Sequence, residues 1–198
     1  MKAAYAAGRF QPPTIGHARL IQAVKDVGGR AFVFVSSANP TGIEASKNPL
    51  TSEEKIRFLK LMFPTGVEFV DTALCKPGCG GPLGGYGYLH DRGYTDITLV
   101  AGSDRTAVFG PGAPIWKSIE DPPDFKALDR GAPGAVNRMS GTKARALAAS
   151  GNLAGFTSAV MIGKMTADDA KKLYNLLRAR RGGRTRRRRL HTTRKRKA

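Results

Sequence analysis

Thr14, Gly16 and His17 sit within four residues, where an apolar run (Ala3 to Ala7) passes through the turn Gly8-Arg9-Phe10-Gln11-Pro12-Pro13 into an amphipathic run (Ala18 to Val27). The pattern is that of a strand, a tight turn and a helix whose first turn carries Gly16 and His17. A helix N-terminus presents unpaired N–H groups and the positive end of the helix dipole, which makes it a seat for phosphate. An imidazole in that first turn can donate to a phosphate oxygen. The chemistry these residues suit is the handling of a polyphosphate.

The remaining elements must bring other groups to this turn. Lys2 to Ala7 reads as the first strand and Gly16 to about Val27 as the first helix. Arg30 to Ser36 is a second strand, and its run Phe32-Val33-Phe34-Val35 suits a parallel strand buried on both faces. Thr51 followed by Glu54 reads as a capping box opening a second helix, with Ile56, Leu59, Leu61, Met62 and Phe63 at helical spacing up to Pro64. Val67 to Asp71 is a third strand, Tyr86 to Arg92 a weak helix, and Ile97 to Ala101 a fourth strand. The Gly/Pro/Asp-rich stretch Thr106 to Arg138 offers a short helix and one strand near Phe125 to Leu128. Helices resume at Gly141 to Ala149 and at Ala167 to Arg181. This alternation argues for an α/β fold with a doubly wound parallel sheet, with ligands at the carboxyl ends of the strands. The first strand then ends at the Thr14–His17 turn, the second in a loop carrying Lys47, and the fourth in Gly102-Ser103-Asp104-Arg105. Ser140 to Arg145 is free to join them.

Charge is uneven. Of 33 Lys and Arg, twelve fall between Arg178 and Lys197, a stretch with no acid. Such a segment cannot bury a core and is expected to be a disordered tail, giving a domain at 1–177 and a basic tail at 178–198. Arg184, Arg186, Arg187, Arg188, Arg189, Arg194, Lys195, Arg196 and Lys197 are its candidate nucleic-acid contacts, acting through counterion release. The same run also reads as a nuclear import signal or as a solvated tail. No apolar run reaches the length of a membrane span, and the N-terminus does not read as a signal peptide, so an intracellular protein is expected, nuclear or virion-associated through its tail. Cys75 and Cys79 lack two further ligands at zinc spacing and are expected as free thiols in a Gly/Pro-rich loop.

Thr14-Ile15-Gly16-His17 resembles the (H/T)xGH signature of the cytidylyltransferase-like nucleotidyltransferases, the superfamily of NMN adenylyltransferase, phosphopantetheine adenylyltransferase and glycerol-3-phosphate cytidylyltransferase. Gly8-Arg9-Phe10-Gln11-Pro12 is similar to the opening of the archaeal-type NMN adenylyltransferases. Met139-Ser140-Gly141-Thr142-Lys143-Ala144-Arg145 is similar to the ISSTxxR motif, with Gly141 where the family usually has Ser. From Met1 to about Val160 the chain also resembles the small nucleotidyltransferases of tailed bacteriophages and large DNA viruses. That likeness rests on Lys47-Asn48-Pro49-Leu50, Val100-Ala101-Gly102-Ser103-Asp104-Arg105, Met139-Ser140 and Leu153-Ala154-Gly155-Phe156.

The resemblance implies a Rossmann-like fold of the nucleotidyltransferase type. It also implies transfer of AMP or CMP from ATP or CTP to a small phosphorylated or hydroxyl acceptor, with release of pyrophosphate. On this basis His17 meets the α-phosphate, with Thr14 standing where a first histidine is commoner. Ser140, Gly141, Thr142 and the adjacent N–H groups hold the β- and γ-phosphates beside Arg145. Lys47 holds a phosphate, Arg9 assists from within the Gly8-Arg9-Phe10 turn beside Gly16, and Gly102 and Asp104 approach the ribose or base. Mg²⁺ rides on the triphosphate, since no carboxylate cluster is visible to hold it. The same stretches superficially resemble the HIGH and KMSKS motifs of class I aminoacyl-tRNA synthetases, but 198 residues leave no room for an anticodon-binding domain. The alternative is a degenerate nucleotidyltransferase fold acting as a nucleic-acid-associated or virion structural protein through its tail. Sequence leaves oligomeric state open.

Overall fold

Strand β1 (Lys2–Gly8) is the spine of the molecule, because both of its faces are covered: Ala3, Ala4, Tyr5 and Ala6 are all fully buried. The computed structural model describes residues 1–37, 47–75, 78–129 and 139–180. Within them β1 joins β2 (Arg30–Val35), β3 (Glu68–Asp71), β4 (Asp96–Gly102) and β5 (Asp124–Leu128) in one sheet of order β3-β2-β1-β4-β5. Every pairing is parallel. The expected fifth strand is present, and the sheet is doubly wound and Rossmann-like. Strand order reverses at β1, which opens a crevice at the carboxyl ends of β1 and β4.

Side-chain alternation distributes the layers. Ala4 and Ala6 face α1 (Ile15–Lys25), packing with Ala23 and Val24. Val33 and Val35 of β2 meet Ile21 of α1 and Leu59 of α2 (Ser52–Met62). On the other face Ala3, Tyr5, Phe32 and Phe34 pack against Tyr86 and Leu89 of α3 (Gly81–His90). Beyond β4 come α4 (Thr106–Phe109) and two short 3₁₀ turns, Ser103–Arg105 and Pro114–Trp116. A further layer contains α5 (Gly141–Ala149), α6 (Leu153–Val160) and α7 (167–180). Its core joins Phe156, Leu173 and Leu177 to Leu50, Phe58 and Met62.

Three expectations need correction. The third helix begins at Gly81, five residues ahead of the expected Tyr86, and two of its glycines, Gly84 and Gly85, serve close packing. A Cβ at Gly85 would lie 2.8 Å from the Tyr5 ring, and one at Gly84 would meet the Gly78 carbonyl. The helix therefore lies directly on the aromatic face of the sheet. Helix α6 was not anticipated; its short, almost wholly apolar sequence has no polar face to reveal a helical period. Cys75 and Cys79, expected as free thiols, are joined in a disulfide, their Cα atoms 6.2 Å apart and within bridging range. The capping box of α2 forms as expected. The Glu54 N–H donates to the Thr51 hydroxyl at 3.2 Å, and the Thr51 N–H donates to the Glu54 carboxylate at 2.8 Å. Among the described residues no helix is long and apolar enough to cross a membrane. The tail contacts Arg184 to Lys197, together with Ala38-Asn39-Pro40 and Arg138, lie outside the described residues.

Lys55 is the oddest member of the core. It follows the apolar stripe of α2, with Phe58, Leu59 and Met62 at helical spacing, and is fully buried. Its ammonium donates to the Ser36 carbonyl at the end of β2. Burial draws its pKa down to about 8, while the Asp71 carboxylate partly opposes that shift. Above pH 8 the unfolded chain binds this proton more tightly than the folded one, so stability due to Lys55 should climb with pH. Denaturant titrations of the parent and Lys55→Met at several pH values should show the parent gaining on the variant between pH 8 and 10.5. A flat difference would show that burial does not tax this ammonium.

Candidate functional site

The β1–α1 turn is shaped by one exchange of bulk for space. Phe10 takes a positive φ of 47° and tucks its ring into the room that the absent side chain of Gly8 leaves, where a Cβ would sit 2.9 Å from the ring. That ring, 1% exposed, stacks obliquely on His17 with centroids 5.0 Å apart. The Thr14 backbone N lies 3.1 Å from Nδ1 of His17, which turns Nε2 to the ring's other edge. His17 is thereby held in one orientation before any ligand arrives.

Thr14 is fully buried, and its hydroxyl lies 2.9 Å from the Met139 carbonyl, to which it donates, and 2.9 Å from His17 Nδ1. Its position ties the first motif to the second across 125 residues. The second motif arrives as an N-capped helix: the Ser140 hydroxyl accepts from the Lys143 N–H at 3.2 Å at the start of α5. Gly141 lies against the Gln11–Pro12 peptide so closely that a Cβ there would be 2.4 Å from the Gln11 oxygen. The contact leaves no room for a side chain at Gly141. Arg145, one turn on, donates to that same Gln11 carbonyl and, at 3.1 Å, to the Thr142 hydroxyl.

These pieces enclose a cleft of about 330 Å³ at the carboxyl ends of β1 and β4. Of the expected residues, Gly8, Arg9, Phe10, His17, Gly102, Ser140, Gly141, Thr142 and Arg145 line it. Thr14, Gly16, Lys47 and Asp104 do not. Lys47 is exposed, and Asp104, which is not in the lining, pairs with Arg105 at 3.5 Å. The described lining is cationic and holds no carboxylate: Arg9 and Arg105 join His17 and Arg145. Burial, and then the like charge of Arg9, hold the Arg145 pKa below the usual arginine range. Two guanidiniums sharing one cleft at a helix N-terminus are relieved by a polyanion. Among the described residues no group of three or more His, Cys, Asp or Glu is placed to hold a metal.

Sequence reading passed over three contributors. Gln11 is 4% exposed; its amide donates to the Leu50 carbonyl at 2.7 Å and its oxygen accepts from the Leu50 N–H at 3.0 Å, clamping the Pro49–Leu50 segment to the turn. A polar side chain between a buried Phe and two prolines was the available signal, since such a group must find partners. Arg105 and Phe109 form the wall after β4, from a stretch too rich in Gly and Pro to show periodicity. The close approach at Gly141 is directly testable. Gly141→Ser and Gly141→Ala should each lower stability by about 1–3 kcal/mol, since either adds the same offending Cβ. Denaturant midpoints equal to the parent's would refute the contact.

Comparison with known proteins agrees with this geometry. Residues 5–123 match the family described as cytidylyltransferase-like. No curated protein sequence matches the chain. The fold is similar to that of a Vibrio parahaemolyticus protein assigned as a nicotinate-nucleotide adenylyltransferase, with 18% identity, TM-score 0.57, and 89% of this chain and 99% of that one covered. It is also similar to Plasmodium falciparum nicotinic acid mononucleotide adenylyltransferase complexed with NaAD, at 12% identity, TM-score 0.59 and 88% and 98% coverage. The same Plasmodium enzyme complexed with APC gives 14% identity, TM-score 0.60 and 89% and 96% coverage. At these identities the neighbours speak for the fold, and the family match for the kind of enzyme, a nucleotidyltransferase. The chain belongs to the cytidylyltransferase-like family.

Proposed function

We propose that the cleft binds a nucleoside triphosphate with its Mg²⁺ and transfers the nucleoside monophosphate to a small phosphorylated or hydroxyl acceptor. The observation that carries this reading is the meeting of His17, Arg9, Arg145 and the N-terminus of α5 in one cleft whose described lining has no carboxylate. An acceptor oxygen attacks the α-phosphorus, the bond to the bridging oxygen of the β-phosphate breaks, and pyrophosphate leaves. Such a reaction needs positioning and charge stabilisation rather than a protein nucleophile. His17 donates from Nε2 to an α-phosphate oxygen as negative charge builds there. Ser140, Thr142, the N–H groups at Gly141 and Thr142, and Arg145 hold the β- and γ-phosphates, with Arg9 beside them. Gly102 brings backbone close to the ribose or base, with Asp104 at its edge. Lys47, outside the cleft, is assigned to the acceptor's phosphate. Mg²⁺ enters as part of the substrate. The names of the structural neighbours favour adenylyl over cytidylyl transfer, and ATP is the first donor to test.

The Arg/Lys-rich run from Arg178 to Lys197 supports a second partner, a nucleic-acid backbone bound without base reading. It would act alongside the cleft, or in place of catalysis in a protein recruited to a virion or nucleic-acid assembly.

Thermal unfolding of the full chain with ATP, CTP, GTP or UTP and Mg²⁺ tests the nucleotide site. At a hundredfold the dissociation constant, the donor should add about 2.7 kcal/mol, or roughly 5–10 °C in Tm for a domain of this size. His17→Ala should abolish turnover and shrink that shift. If no nucleotide shifts the parent, the catalytic reading fails and the tail becomes the functional element.

A further inference from the structure

The last described residue of α7 makes contacts that its place at the edge of the molecule does not require. Arg180 grips Glu54 with both ends of its guanidinium, Nη1 to Oε2 at 2.6 Å and Nη2 to Oε1 at 2.7 Å, and Nη1 also donates to the Pro49 carbonyl. Both side chains are about three-quarters covered. Burial pushes the Glu54 carboxyl upward, yet bonds from Arg180 and from Thr51 hold it below the usual carboxylate range. The pair is therefore ionised and rigid, the planar fork matching the carboxylate in a way a lysine cannot.

Each contact leads to the next. Pro49 precedes Leu50, whose N–H and C=O are both taken by the Gln11 amide. The backbone oxygen of Gln11 in turn seats the Arg145 guanidinium. We propose that Arg180 is a positioning residue for the nucleotide site: by pinning Pro49–Leu50 it fixes the Gln11 peptide, and through it the orientation in which Arg145 faces the cleft. This rests on the nucleotide-site reading above and extends it to the end of α7, where the basic segment leaves the described body.

Five full-length proteins decide it: the parent, Arg180→Ala, Arg180→Lys, Arg145→Ala and Arg180→Ala in an Arg145→Ala background. Two readouts are taken on each. One is the Arg145 Nε–H resonance, assigned by its loss in Arg145→Ala; the other is affinity for ATP or the preferred triphosphate by titration calorimetry. Arg180→Ala should move the Arg145 resonance and weaken nucleotide binding about three- to tenfold, whereas adding it to Arg145→Ala should weaken binding no further. Arg180→Lys, which keeps the charge beside Glu54 but not the fork, should fall between and guards against a misfolded alanine variant. An unmoved Arg145 resonance, or an affinity loss as large without Arg145 as with it, overturns the proposal. If the parent binds no nucleotide, the proposed function falls instead, and the Arg145 resonance alone still decides whether the relay exists.

Discussion

The N-terminus of α5 rests on the Gln11–Pro12 peptide at a distance that only a residue without a side chain permits, and the rest of the site hangs on that contact. With Gly141 seated there, Arg145 is carried one helical turn further to reach the Gln11 carbonyl, and the carbonyl of Met139 comes within reach of the Thr14 hydroxyl. The contacts join segments separated by 125 and 134 residues. They set the N–H groups of one helix against the imidazole at the start of another. Neither helix end forms the cleft by itself.

Around that contact the structure invests buried hydrogen bonds rather than apolar bulk. Gln11 satisfies a backbone donor and a backbone acceptor of Leu50 while lending its own carbonyl to Arg145. A buried polar group left unmade costs about 1–3 kcal/mol, so such a cluster tolerates one arrangement and penalises the others. His17 is treated in the same way, with Phe10 beneath it and Thr14 against its Nδ1 edge. The opposite strategy operates in the cleft itself, where Arg9 and Arg145 oppose each other at some electrostatic cost.

Much of this was legible in the chain. Continuous apolar runs located the strands, since a parallel strand covered on both faces has to be apolar throughout, as Phe32 to Val35 are. Thr51 and Glu54 announced the start of α2 because a capping box is a local arrangement that needs no distant partner. The first motif was readable for the same reason: a strand, a turn and a helix start are contiguous. Helix α3 was half missed because its glycines lower local propensity for a benefit, close approach to Tyr5 and Phe34, that exists only after folding. The disulfide, the buried Lys55 and helix α6 escaped for related reasons, each depending on neighbours that sequence spacing does not name.

What the sequence by itself determined is the set of local elements, their order, and the residue types able to meet phosphate at two helix starts. What the tertiary structure alone decided is the assignment of those residues. Thr14 became a buried tie between the two motifs, Gly141 a point of contact, and Gln11 and Arg180 members of the scaffold behind Arg145. Local structure follows from interactions within a few residues, which spacing encodes. The role of a polar side chain follows from which distant backbone groups it must satisfy once water is excluded, and only the packed fold sets that.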